Sequence, residues 1–295
     1  MTPLPVFTDP AAMREEADRL RAAGLRIAVV PTMGALHGGH AELVRVAARN
    51  AAAVVVTVFV NPAQFGPNED YTRYPRTPAS DFPLAAAAGA TLVYAPAAAA
   101  MYPPGYATWV DVGGITEVLE GPVRPGHFRG VATVVAKLFH ATRPHAAVFG
   151  QKDAQQVAVI RRMTADLDFG VDLIVVPTVR EADGLAMSSR NTYLTPDQRR
   201  QAPALYRALR RGEEMIRGGE RDAARVTGEV RRIIEAETEG VVDYVSLADG
   251  ETLREAGRVG PGALLLSLAV RFGGTRLIDN VPIAPSTSRG DAEPT

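Results

Sequence analysis

The sequence predicts an α/β protein, a doubly wound parallel sheet followed by a smaller C-terminal α+β domain. Three observations predict it. Five short apolar runs, 27–30, 51–60, 91–94, 145–149 and 171–176, are separated by stretches of helical periodicity. The run 51–60, AAAVVVTVFV, is apolar throughout and rich in β-branched residues, as a strand covered on both faces must be. After Pro177 the order changes to two helical stretches and then three strand-like runs.

The elements follow in order. Residues 9–23 mix charged and apolar positions with helical period and end at Gly24. The run 27–30 is the first strand. A glycine-containing loop and a helical pattern over 41–50 follow, the grammar of the opening βα unit of a Rossmann-like nucleotide-binding sheet. The second strand, 51–60, ends at Asn61-Pro62. The polar stretch 67–76 reads as a surface loop or a flap over a site. A helix is expected over 81–89, a strand over 91–94, irregular chain over 96–104, and excursions from the sheet at 109–112 and 117–121. The segment 124–130 leads into a helix over 131–141. The strand 145–149 follows, then a helix to about Leu167 and the strand 171–176. Beyond the polar loop 179–191, Thr195 caps a helix with Pro196 at its first position, running to about Arg217. A helix over 222–237 precedes strands at 242–247, 263–270 and 275–280, with a turn at 272–275. The predicted organisation is 1–178 for the nucleotide domain, 179–284 for an α+β lid, and 285–295 for a Ser/Pro-rich disordered tail.

Bulk composition narrows the function. With 295 residues, 46% hydrophobic and 22% charged, the chain can form two cores. A net charge of −1 and the lack of any Lys/Arg-rich run argue against nucleic acid or an anionic membrane as partner. No cysteine is present, which excludes disulfides, thiolate metal sites and thiol catalysis. No secretory leader is read in 1–14 and no apolar run is long enough to cross a bilayer, so a cytoplasmic location is expected. Nearly all basic residues are Arg; only Lys137 and Lys152 are Lys. Lysine kept in so Arg-biased a chain marks sites that need a compact ammonium. Lys152 lies in a motif, whereas Lys137 lies in an apolar helical pattern and reads as structural.

No P-loop, Gly-x-Gly-x-x-Gly or His-Glu-x-x-His pattern is present. Phosphate binding therefore falls to Pro31-Thr32-Met33-Gly34-Ala35-Leu36-His37-Gly38-Gly39-His40. His37 and His40, three apart, share one face of a helix's first turn, where free backbone N–H groups already favour anions. A plain capping role for either histidine is the competing reading. Lys152 and Asp153 follow the fourth strand, beside the first loop if the sheet reverses there. Lys152 can follow charge onto a departing phosphate oxygen, and Asp153 can accept from a ribose hydroxyl, hold Mg²⁺ or cap the next helix. Gln64 and Asn61 after the second strand, and Gln156 after the fourth, offer amides suited to a hydroxylated carboxylate. Met187-Ser188-Ser189-Arg190 could clamp a triphosphate.

Taken together, the segments 31–40, 61–66, 124–130, 150–156 and 177–194 closely resemble the pantoate–β-alanine ligase family, in order from about Ile27 to at least Asn280. His-x-Gly-His is also the signature of the wider nucleotidylyltransferase superfamily; the other segments are more specific. The resemblance implies condensation of pantoate with β-alanine, with ATP converted to AMP and pyrophosphate through pantoyl adenylate, and with Mg²⁺ accompanying ATP. It implies ATP contacts from Met33, Gly34, Ala35, Leu36, His37, Gly38, Gly39, His40, Gly150, Gln151, Lys152, Asp153, Val179, Met187, Ser188, Ser189 and Arg190. His37, His40 and Lys152 would be catalytic, with His40 as general acid. Gln64 and Gln156 would bind pantoate, with Gln64 near β-alanine, and Asn61 and Arg124 close by. It also implies a homodimer through the N-terminal domain. Gln151 departs from the family's usual Glu. The rival readings are a nucleotidylyltransferase that stops at the adenylated product and a silent nucleotide-binding regulator. Amide formation with β-alanine and pantoate-dependent ATP–pyrophosphate exchange separate them.

Overall fold

The computed structural model describes residues 4–67 and 69–285. The expected tail beyond Pro285 lies outside the described residues. The chain divides into two compact units, the first reaching Val179 and taking back Met187–Ser189, the second comprising Arg180–Ala186 and the chain from Arg190. The chain thus changes unit three times between 179 and 190, where the sequence suggested one boundary at 178/179.

The first unit contains β1 (Val6–Phe7), α1 (Pro10–Ala22), β2 (Ile27–Thr32), α2 (Gly38–Asn50), β3 (Ala53–Val58), α3 (Pro78–Ala88), β4 (Leu92–Tyr94), α4 (Ala98–Met101), α5 (Glu120–Val123), α6 (His127–Thr142), β5 (Ala146–Gly150), α7 (Ala154–Asp166) and β6 (Asp172–Val176). The strands form one parallel sheet in the order β1-β4-β3-β2-β5-β6. Alternate residues of each strand enter opposite cores. Ile27, Val29, Val55 and Ala147 pack with α1, α6 and α7, while Ala28, Val30, Val56 and Val148 pack with α2 and α3. From β2 the chain moves outward to β3 and β4, then returns to place β5 on the other side of β2. The sheet therefore reverses between β2 and β5, where α/β sheets open a crevice beyond their strand ends.

The sixth strand, β1, was not expected: two residues on an edge carry no periodicity, and only the pairing of Val6 with Val93 and Phe7 with Tyr94 defines it. Helix α2 begins earlier than its apolar pattern because His37 caps it and Gly38 and Gly39 form its first turn.

The second unit contains α8 (Pro196–Gln201), α9 (Ala204–Arg217), α10 (Ala223–Glu237) and an antiparallel sheet of β7 (Val241–Asp249), β8 (Leu264–Phe272) and β9 (Thr275–Ile283). Leu205, Leu209 and Ile216 of α9, with Val226, Val230 and Ile234 of α10, pack on this sheet. The single helix expected up to Arg217 is two, because Pro203 has no N–H to continue the ladder and its ring crowds the preceding turn. No helix among the described residues is long and apolar enough to cross a membrane.

Candidate active site

Strand β2 ends at Thr32, whose hydroxyl donates to the Thr57 carbonyl at 2.6 Å and accepts from the Gly34 N–H at 3.2 Å. Gly34 (φ 86°) and Ala35 (φ 50°) then turn the chain through left-handed backbone. A non-glycine residue there needs an external restraint, and Asp81 supplies it. Its carboxylate, 1% exposed in the first turn of α3, accepts from Ala35 N–H at 3.0 Å, Leu36 N–H at 2.8 Å and the Thr77 hydroxyl at 3.1 Å. Sequence reading missed Asp81; at that position it looks like an ordinary first-turn acid, and nothing in its spacing links it to residue 35.

The turn delivers His37 and His40 to the start of α2. His37 Nδ1 accepts from the Gly39 N–H at 3.1 Å, and His40 Nδ1 accepts from the His37 N–H at 3.3 Å. The capping and ligand readings are therefore both open to the same residues, on opposite ring nitrogens. With each Nδ1 accepting, a neutral ring carries its proton on Nε2. The rings lie 4.1 Å apart. His40 is half-buried, and burial, with the fields of His37 and Lys152 outweighing Asp153, lowers its pKa to about 3. The same influences place Lys152 and Asp153 in the electrostatic neighbourhood of His40, as the reversal between β2 and β5 requires.

Both glycines between the histidines are close approaches. A Cβ at Gly39 would stand 2.9 Å from the His37 ring, and one at Gly38 would stand 3.2 Å from Met187 Sδ. Met187 thus reaches the start of α2; its N–H donates to the Val179 carbonyl at 3.0 Å. Ser189 Oγ lies 3.3 Å from the hydroxyl of buried Tyr74. Ser188 lies between these two in the first unit, whereas Arg190 belongs to the second.

Gly150 ends β5, and Gln151, Lys152 and Asp153 form a 3-10 turn before α7. Lys152 Nζ is 3.9 Å from Asp153 Oδ1. Asp153 occupies the cap position of α7 but makes no capping bond with its side chain. No group of three His, Cys, Asp or Glu that could hold a metal exists among the described residues. Gln155, not Gln156, is the structural amide here: it accepts from Glu120 N–H at 2.9 Å and donates to the Ile115 and Val118 carbonyls at 2.8 and 2.7 Å. Gln156 is half-buried beside it.

After β3 the polar groups are consumed differently. Asn61, 1% exposed, donates to Gln64 Oε1 and the Gly130 carbonyl, both at 3.1 Å, and accepts from Ala63 N–H at 3.3 Å and the Tyr102 hydroxyl at 2.8 Å. With donor and acceptor both engaged, Asn61 braces Gln64 at the strand end where both were expected beside the substrate. Gln64 Nε2 rests 3.2 Å from Met33 Sδ, a weak acceptor that leaves the amide available to a better one. Arg124 is likewise turned into the protein. It forms a bidentate pair with Glu69, 2.7 Å on each arm, and its Nη1 lies 3.0 Å from His127 Nε2. Arg124, expected close to the substrate, thus holds Glu69 and His127 together in this structure. His127 had no assigned role in the sequence reading.

A family model described as Pantoate-beta-alanine ligase matches residues 5–282. The chain is 55% identical over 271 residues to pantothenate synthetase of Moorella thermoacetica, covering 92% of this chain and 95% of the relative. A crystal structure of pantothenate synthetase from Thermus thermophilus matches with a TM-score of 0.88 at 45% identity, covering 96% of this chain and all (100%) of that one. The pantoate-beta-alanine ligase of Francisella tularensis, solved with beta-gamma ATP and beta-alanine, matches with a TM-score of 0.77 at 31% identity, covering 94% and 97%.

Proposed function

Since the chain belongs to the pantoate–β-alanine ligase family, we propose that it holds the ATP phosphates at the start of α2 and activates pantoate beside them. The reaction joins pantoate to β-alanine at the expense of ATP. A carboxylate is a poor acyl donor because its leaving group would be an oxide. A pantoate oxygen attacks the α-phosphorus, the bond to pyrophosphate breaks, and pantoyl adenylate forms. The neutral amine of β-alanine then attacks the acyl carbon, AMP leaves with the electrons of the acyl–oxygen bond, and the amine's surplus proton is released.

The observation that carries this reading is the tautomer of the histidine pair. Two Nε2–H groups on one helix start, added to the helix's own N–H groups, give anion donors without permanent charge. With its pKa near 3, His40 is neutral at pH 7, so we assign it hydrogen-bond donation to phosphate in place of the general-acid role. Lys152 supplies the compact charge that follows electrons onto pyrophosphate. Met33, Gly34, Ala35, Leu36, Gly38, Gly39, Gly150, Gln151, Val179, Met187, Ser188, Ser189 and Arg190 line the ATP path in this reading, and Gln64 and Gln156 orient pantoate. Mg²⁺ arriving with ATP would neutralise phosphate charge, and Asp153 suits it as a single protein carboxylate, the remaining ligands being phosphate and water. A cytoplasmic homodimer through the first unit completes the proposal; light scattering checks the dimer.

Pantoate-dependent exchange of pyrophosphate into ATP tests the site. Wild type should exchange, and Lys152→Arg should lose at least about tenfold, because a flat guanidinium does not replace an ammonium at one oxygen. Near-normal exchange by Lys152→Arg would remove Lys152 from the first step.

A further inference from the structure

Gln64 sits on a single 3-10 turn, Pro62–Gln64, that its own bonds hold weakly. The internal bonds are long: Gln64 N–H to the Asn61 carbonyl at 3.4 Å and Phe65 N–H to the Pro62 carbonyl at 3.3 Å. Helix α6 supplies the tighter restraints. Gly130 lies so close that a Cβ there would stand 2.2 Å from the Ala63 carbonyl oxygen. His127 Nδ1 lies 2.8 Å from the Gln64 carbonyl oxygen, the shortest hydrogen bond to the backbone of this turn.

That bond requires the His127 proton on Nδ1. Arg124 enforces it from the other side: a guanidinium only donates, so its Nη1 at 3.0 Å makes Nε2 the acceptor. Glu69 holds Arg124 with two 2.7 Å bonds. Glu69 belongs to the segment 69–76, which also packs Tyr71 and Tyr74 on Phe65, with ring centroids 5.4 and 6.0 Å apart. We infer that His127, with Arg124 and Glu69 behind it, is a positioning residue for pantoate, making the setting of Gln64 depend on how the 69–76 segment is docked. Losing the Glu69 pair frees Arg124 to turn away and the imidazole to move its proton to Nε2. The Nδ1 lone pair then faces the Gln64 carbonyl, and the turn loosens.

This inference rests on Gln64 as a pantoate ligand, and its test separates the two. Steady-state kinetics on the full chain would compare Gln64→Ala, His127→Phe, His127→Asn, Glu69→Gln and the double variant Glu69→Gln/His127→Phe. His127→Phe should raise the pantoate KM about tenfold, the worth of one buried hydrogen bond, with the ATP KM within about twofold. His127→Asn, which keeps a donor near the Nδ1 position, should recover part of that loss. Glu69→Gln should raise the pantoate KM about threefold, and the double variant should be no worse than His127→Phe, since both changes act along one chain. Multiplying effects, or equal rises for ATP and pantoate, would overturn the inference. Should His127→Phe fail to fold, Glu69→Gln at the partly exposed end decides: an unchanged pantoate KM overturns the coupling. Gln64→Ala leaving pantoate KM unchanged would instead remove the pantoate reading of Gln64. A raised KM in Gln64→Ala with a silent His127→Phe would sink the relay alone.

Discussion

His40 and His127 stand in the first turns of α2 and α6, and their surroundings push both well below the ordinary imidazole range, to about 3 and about 4. Their tautomers are opposite. His40 accepts at Nδ1 from a backbone N–H and so presents Nε2–H, whereas His127 donates from Nδ1 to the Gln64 carbonyl and accepts at Nε2 from Arg124. One ring is anchored by its near nitrogen, which leaves its far nitrogen for a ligand. The other has both nitrogens committed to the fold. A histidine near a helix start in a sequence can be either; what distinguishes them is which nitrogen the neighbouring backbone takes.

The sharpest way to break this contrast exchanges the two histidines for the amides that mimic one nitrogen each. Glutamine places its amide near the Nε2 position and asparagine near Nδ1. His40→Asn should lose about 10²–10³-fold in pantoate-dependent pyrophosphate exchange, the range for removing one donor to developing phosphate charge, and His40→Gln should lose about tenfold less than that. At His127 the order should invert, with Asn milder than Gln in the pantoate KM. The same order at both sites would mean that the assigned tautomers are wrong at one of them.

Next in size is Asp81→Ala. It leaves the Ala35 and Leu36 N–H groups without their acceptor and Ala35 in left-handed backbone without its restraint. A cost of about 3 kcal/mol in urea unfolding is expected, with a raised ATP KM. A loss of stability without any change in ATP KM would show that the 34–36 turn does not govern how the histidine pair is aimed.

Asp81 also marks where sequence reading stopped. The sheet was legible because each buried strand is a short apolar run, whereas its reversal between β2 and β5 entered only as a condition that the strand order then met. His37, His40 and Lys152 were legible because short-range spacing and a scarce residue type mark them. Asp81, Glu69 and His127 were not, since each acts through a contact dozens of residues away that no local pattern announces. Asn61 was legible by its place at a strand end, but its partners Tyr102 and Gly130, equally remote in sequence, were not. The break at Pro203 was missed because the helical period of 204–217 was extended back over the polar stretch 196–201.

A smaller effect concerns acid. Between about pH 3 and 6.5 the unfolded chain carries a proton that folded His40 does not, and between about 4 and 6.5 the same holds for His127. Unfolding therefore takes up protons in those windows, so the stability tied to neutral imidazoles is fully present above pH 6.5 and declines as pH falls. Plots of Tm against pH for His40→Gln and His127→Asn should each be flatter than wild type over this range. A slope unchanged in both would mean that neither ring is held neutral in the folded state.

The smallest expected effect is at Gln151. Gln151→Glu puts a carboxylate in the turn that carries Lys152 and Asp153, at a half-buried position. By the logic that applies to Asp153, its field should raise the His40 pKa, since a negative neighbour favours the imidazolium. Starting from about 3, a rise of about one unit still leaves His40 neutral at pH 7, so the exchange rate there should stay within about twofold of wild type. The ATP KM should rise slightly from repulsion of phosphate, and added salt should reduce that rise. A large fall in exchange at pH 7 would mean that the outward-facing ring works close to its own pKa, and the contrast with the inward-facing ring would then lie in charge as well as in tautomer.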